Sequence, residues 1–87
     1  MRVEIRDSFV KDVKKTSLEN KQKIKQILES IKTADTVAEL RNIKKISGHK
    51  IFYRIRLGDY RLGFAIENDT LILLHFMHRK EIYRFFP

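Results

Sequence analysis

The 87-residue sequence contains no cysteine and no tryptophan, a single proline and only three glycines. Without cysteine there are no disulfides and no thiolate metal sites, which excludes the small stapled scaffolds of secreted proteins. With so little proline and glycine there is no linker, repeat or low-complexity stretch. No apolar run approaches the roughly 20 residues of a membrane span. The opening MRVEIRDSFV lacks the apolar stretch of a secretory signal. The expectation is a single domain over residues 1–87, cytoplasmic and without a membrane partner. A domain of this size buries roughly 60% of its unfolded surface. The 43% apolar content, with six Phe and three Tyr, suffices for a core.

Acidic residues are also few, 11 against 19 Lys and Arg, for a net charge of +8. The imbalance is local. Residues 1–40 carry nine basic and seven acidic side chains, residues 41–87 ten and four. A basic C-terminal half favours a polyanion: nucleic acid, an anionic surface or an acidic protein.

Arg2–Arg6 alternates polar and apolar and reads as a short strand with Val3 and Ile5 on one face. Ser8 is a candidate cap for a short helix carrying Phe9, Val10 and Val13. Thr16-Ser17-Leu18-Glu19 fits a capping box, predicting a helix to about Lys32. Leu18, Ile24, Ile27, Leu28 and Ile31 form its apolar stripe. Together the two helices predict an antiparallel hairpin covering a sheet. A further helical turn is expected over Thr36–Ile43, bringing Val37, Leu40 and Ile43 to the core.

From Ile51 the period becomes two. Gly58-Asp59 is a two-residue hairpin signal between Ile51–Leu57 and Tyr60–Ile66. Asn68-Asp69 marks a second turn, and Thr70–Met77 is apolar on both faces, as a buried central strand should be. Arg79–Phe86 reads as a short helix. The predicted class is α+β: a small antiparallel sheet of the N-terminal strand and a C-terminal three-stranded meander, under a helical hairpin, in β-α-α-β-β-β-α order.

The turn sets the register. With Gly58-Asp59 as the loop, Leu57 pairs with Tyr60, Arg56 with Arg61, Arg54 with Gly63 and Phe52 with Ala65. Three arginines then share one face, while Tyr53, Ile55, Leu57, Tyr60, Leu62 and Phe64 share the other. Arg56 opposite Arg61 costs a few tenths of a kcal/mol. The small Gly63 and Ala65 suggest a shallow concavity beside the guanidinium groups. An anion such as phosphate, which arginine binds bidentately, explains this better than charges splayed idly into water. In the tail Arg79 and Tyr83 are four residues apart and share a face if helical. His49, His75 and His78 show no ligand spacing, so no metal and no cofactor is expected. A structural hydrogen bond is the simpler role for His78.

Tyr53-Arg54-Ile55-Arg56-Leu57-Gly58-Asp59-Tyr60-Arg61-Leu62, followed by His78-Arg79-Lys80-Glu81-Ile82-Tyr83-Arg84, resembles the RelE/ParE toxin superfamily. The element order resembles that fold along the whole chain. The superfamily holds both ribonucleases and gyrase poisons. Resemblance to the ribonuclease branch implies metal-independent cleavage of messenger RNA in the ribosomal A site. A ribose 2′-OH attacks the adjacent phosphate, leaving a cyclic phosphate and a free 5′-OH. Carried over by position, Arg61 holds the scissile phosphate and Arg79 stabilises the transition state and leaving group. Tyr83 orients or deprotonates the 2′-OH, or stacks on a base. Arg54, Arg56 and Lys80 bind RNA phosphates.

Arg54 and Arg56 stand where the best-known members have lysine. A buried lysine can give up its proton; an arginine effectively cannot. The proton acceptor is then Tyr83, a polarised water or a ribosomal group, with His78 as the reserve acid or base. The resemblance also implies a RelB-like antitoxin that wraps the toxin, and operator DNA reached only through that complex. The alternatives are a gyrase-binding toxin without nuclease activity and an inactive nucleic-acid-binding relative.

Overall fold

In the computed structural model, which describes residues 1–87, the alternating N-terminal stretch forms strand β1 (Arg2–Ile5). Helices α1 (Asp7–Lys15) and α2 (Leu18–Thr33) follow. Strands β2 (Ile43–Lys45), β3 (Phe52–Leu57), β4 (Tyr60–Glu67) and β5 (Thr70–His78) complete a five-stranded sheet in the order β1-β5-β4-β3-β2. The β1–β5 pairing is parallel and the others antiparallel, so the sheet is mixed rather than antiparallel as expected. The α+β class and the helical pair over a sheet are as expected. No helix is long and apolar enough to cross a membrane.

Five local expectations need correction. Over Thr36–Ile43 there is only a 3-10 turn at Val37–Glu39, and the chain then enters an edge strand that the sequence did not announce. Asn42, at φ 58°, makes the bend, and Ile43 pairs with Ile55. The expected capping box is displaced by one residue: Ser17, not Thr16, caps α2, its Oγ accepting from the Asn20 amide at 3.1 Å. Leu18, at the start of that helix, is 72% exposed rather than part of the stripe. Ser8 does not cap α1; Arg6 occupies that position without a side-chain bond. The C-terminal segment is a 3-10 turn at Ile82–Arg84.

The register of the β3–β4 hairpin follows the turn. Leu57 faces Tyr60, Arg56 faces Arg61, Arg54 faces Gly63 and Phe52 faces Ala65. Gly58 takes φ 60°, a conformation glycine reaches without penalty. Asn68 and Asp69 both have positive φ, as a two-residue turn between twisted strands demands. Ile55, Leu62 and Phe64 are buried against Phe9, Ile24 and Ile31 of the helices, forming the main core with Leu71, Leu73 and Phe76.

β5 carries a bulge. Gly63 pairs with His75 but Phe64 pairs with Leu73, so Leu74 has no partner. Side-chain alternation is reset there. Leu71 and Leu73 enter the core before the bulge, Phe76 after it. β1 pairs with β5 only as far as Leu73, where the Arg6 amide still donates to the Leu73 carbonyl. Beyond that point α1 replaces the missing strand with side chains one turn apart. Ser8 Oγ donates to the Leu74 carbonyl, and Asp12 Oδ2 accepts from the Phe76 amide at 3.0 Å. The same oxygen lies 2.8 Å from His75 Nδ1. A largely buried carboxylate thus satisfies a backbone amide that would otherwise stand open at the sheet edge.

Two outcomes follow. Asp12→Ala should lose about 1–3 kcal/mol, because it leaves a buried amide unsatisfied; urea unfolding measures this. Glu39 accepts from the amides of Thr36 and Asp35 at 2.8 and 2.7 Å, which holds its carboxyl below the ordinary carboxylate value. Its contribution is present above the unfolded-state value and lost as pH falls through the lowered one. The difference in Tm between wild type and Glu39→Gln should therefore shrink as pH is lowered through that range.

Candidate functional site: an arginine cluster beside Tyr83

The face of the sheet away from the helices is divided. Its apolar part is Phe52, Ala65 and Ile72, joined by register across β3, β4 and β5. Ala65 and Ile72 are buried, as are Ile82 and Phe86, though all four lie outside the main core. The C-terminal segment covers this patch. Phe86 meets Phe52 edge-on at 5.6 Å and lies against Gly63, so close that a Cβ there would sit 2.8 Å from the ring. The concavity inferred beside Gly63 and Ala65 is therefore filled by this ring.

The charged part lies nearer the hairpin turn. Arg61 is half-buried. Its Nη1 donates to the carbonyls of Gly58 and Tyr60 at 2.7 and 2.9 Å, folding the guanidinium onto its own turn. Burial, then the positive charges of Arg54, Arg56 and Arg79, push the Arg61 pKa below its ordinary value; Tyr83 acts in the opposite sense. Arg54, Arg56, Arg79 and Tyr83 thus all lie within electrostatic reach of Arg61. Arg54 Nη1 donates to the Asn42 carbonyl at 3.2 Å. The Arg79 amide donates to the Asp59 carbonyl at 2.8 Å, and its Nε lies 3.6 Å from Asp59 Oδ1. Arg56 is exposed. Tyr83 is 54% exposed, presented from the 3-10 turn.

Other candidates lie elsewhere. His78 pairs with Tyr60 and shares its face, the rings edge-to-face at 5.4 Å, with Nδ1 accepting from the Lys80 amide at 3.1 Å. The extra residue at Leu74 is the reason: uninterrupted alternation from Ile72 would have put His78 on the arginine face. This geometry accords with a structural role and puts the ring on the face opposite the arginines. Lys80 is an exposed residue of the turn that follows β5. His75 is engaged with Asp12. His49 packs edge-on against Phe52. No cluster of three His, Asp or Glu has the geometry to hold a metal. The roles of Asn42, Asp59, Gly63 and Phe86 around the site carry no sequence signature. Only the run of small residues on an outward face hinted that something covers Gly63.

A basic sheet face crossed by an aromatic-bearing tail is also the point at which known proteins can be compared. The family described as ParE toxin of type II toxin-antitoxin system, parDE, matches residues 3–83. The chain belongs to the RelE/ParE toxin superfamily. Toxin RelE3 of Methanocaldococcus jannaschii is 40% identical over 88 residues, covering all of both chains. The RelB–RelE antitoxin-toxin complex from Methanococcus jannaschii contains a chain that superposes with a TM-score of 0.84 at 38% identity, covering 97% of this chain and 99% of that one. The archaeal RelE–RelB complex from Pyrococcus horikoshii OT3 shares the fold, with a TM-score of 0.74 at 21% identity over 92% and 96% of the two chains.

The opposed pair makes a checkable demand on this toxin fold. Arg56→Thr should raise stability by about 0.2–1 kcal/mol by removing like-charge contact across the strands. The gain should fade as salt is added. Denaturation at low and high salt reads both.

Proposed function

We propose that this toxin is a metal-independent endoribonuclease of a type II toxin–antitoxin system, cutting messenger RNA on the ribosome and so stopping translation. The observation that carries the reading is the arginine face itself: Arg54, Arg56 and Arg61 share one side of the β3–β4 hairpin, and Arg79 and Tyr83 lie within electrostatic reach of Arg61. RNA cleavage through the 2′-OH needs a proton acceptor at O2′, positive charge on the phosphorane and a proton for the leaving 5′-oxygen. O2′ attacks phosphorus as its proton leaves, the P–O5′ bond breaks, and the products are a cyclic phosphate and a 5′-OH.

Arg61 is the phosphate ligand in this reading. It is pre-oriented by two carbonyls and keeps further N–H donors for a ligand. Arg79 neutralises charge at the phosphorane and the leaving oxygen, and an incoming phosphate competes with Asp59 for it. Arg54, Arg56 and Lys80 hold flanking phosphates as fixed cations. The tyrosine oxygen or a water it orients accepts the 2′ proton; the ring can instead stack on a base. With His78 on the opposite face, the burden of proton transfer falls on Tyr83 and on groups the ribosome brings.

The likeness to a RelE chain crystallised with RelB supports a RelB-like antitoxin as partner, with operator DNA engaged through that pair. The ParE wording of the matching family supports a second reading, a gyrase-binding toxin without nuclease activity. The two differ in what is broken in the cell.

Primer extension on a translated message should show new 5′ ends with wild-type protein. Arg61→Ala should reduce cutting roughly 100- to 1,000-fold, as loss of a preorganised cationic donor does. Tyr83→Phe should reduce it roughly 100-fold or more. Whole messages in the presence of DNA breaks would transfer the assignment to gyrase.

A further inference from the structure

We propose that Gly63 and Phe86 form a lock that fixes the position of Tyr83 relative to Arg61, so that a contact outside the arginine cluster sets the competence of the site. The proposal rests on the ribonuclease reading for its functional consequence, but the lock itself is a statement about geometry.

Gly63 lies inside β4, beside the bulge of β5, and its φ is not among the positive ones. Backbone freedom does not explain a glycine there, and in a strand interior it costs stability. Space does explain it. A Cβ at this position would meet Phe86 Cδ2 and Cε2 at 2.8 Å and Cγ at 2.9 Å. The ring is 2% exposed, so it cannot be shifted without unpacking.

Phe86 is bound to Tyr83 through one short turn. The amides of Phe85 and Phe86 both donate to the Ile82 carbonyl, at 3.0 and 2.8 Å, and the Arg84 amide donates to Glu81 at 3.0 Å. Ile82 is fully buried. The phenol, by contrast, is largely exposed and rests on no hydrogen bond of its own side chain. Its place is therefore dictated by the turn between two buried anchors, Ile82 and Phe86. One of these sits on Gly63, two residues along the strand from Arg61. The same strand thus carries the phosphate ligand and the seat of the tyrosine, which makes their separation a rigid dimension of β4. Gly63 and Phe86 are positioning residues; neither touches the reacting atoms.

The test uses the full chain labelled with fluorotyrosine, comparing wild type, Gly63→Ala and the double variant G63A/F86L. The three tyrosines at 53, 60 and 83 are separated by 19F NMR, with Tyr83→Phe assigning the third resonance. Gly63→Ala should move the Tyr83 resonance while those of Tyr53 and Tyr60 stay in place, and should lower message cutting by about 10- to 100-fold, the scale of a small misplacement. The smaller leucine makes room for the added methyl, a swap that roughly conserves volume; the double variant should recover the resonance position and much of the cutting. An unmoved Tyr83 resonance in Gly63→Ala, or a double variant no better than Gly63→Ala, overturns the lock. A wild type that leaves messages whole overturns the ribonuclease reading instead, and the 19F shift and its rescue then decide the lock alone.

Discussion

Between Leu73 and His75 strand β5 gains one residue over its neighbour β4, and the direction of every later side chain in that strand is reset. The consequences reach most of the molecule. Phe76 turns into the core, His78 turns to the face of Tyr60, and Met77 joins Arg61 on the open face. The partnership with β1 ends just before the bulge, where the chain turns into α1. What makes the interruption tolerable is α1. Ser8 and Asp12, one turn apart, meet the Leu74 carbonyl and the Phe76 amide in place of a strand. One carboxylate bound to a backbone amide and to His75 thus ties the first helix to the strand from which the C-terminal segment departs.

The open face then serves two needs at once. Its apolar part is closed by Ile82 and Phe86, which gives this small sheet a second packed layer without a further helix. Its charged part stays accessible. Two of its four arginines turn donors onto neutral carbonyls rather than onto acids. Arg61 leans on Gly58 and Tyr60, and Arg54 on Asn42. The one carboxylate paired with the cluster, Asp59, is exposed and joined at 3.6 Å, so the pair is weak. A stronger internal partner would stabilise the chain and occupy the donors that a polyanion needs. The geometry therefore favours a site held ready by backbone acceptors over one neutralised by acids.

Much of this was legible before any coordinates. Gly58-Asp59 between two alternating runs left one register open, and from it the arginine face and the opposed Arg56–Arg61 pair followed. Thr70–Met77, apolar on both faces, declared a strand covered on both sides. Three other features were not legible. Ile43–Lys45 is too short for its period to show, and pairs only because β3 presents an edge to it. The bulge at Leu74 leaves no trace in an unbroken apolar run. The seat of Phe86 is a contact between residues 23 apart in sequence, and the glycine beneath it reads in sequence only as an open hollow.

The sequence by itself determined the α+β class, the hairpin register and the gathering of arginines on one surface, because these depend on local periodicity and on a turn that spans two residues. The tertiary structure decided which face His78 took, what filled the hollow at Gly63 and where Tyr83 stood. Those depend on one unpaired residue in a buried strand and on a tail packed across the sheet, both of them long-range contacts that local patterning does not encode.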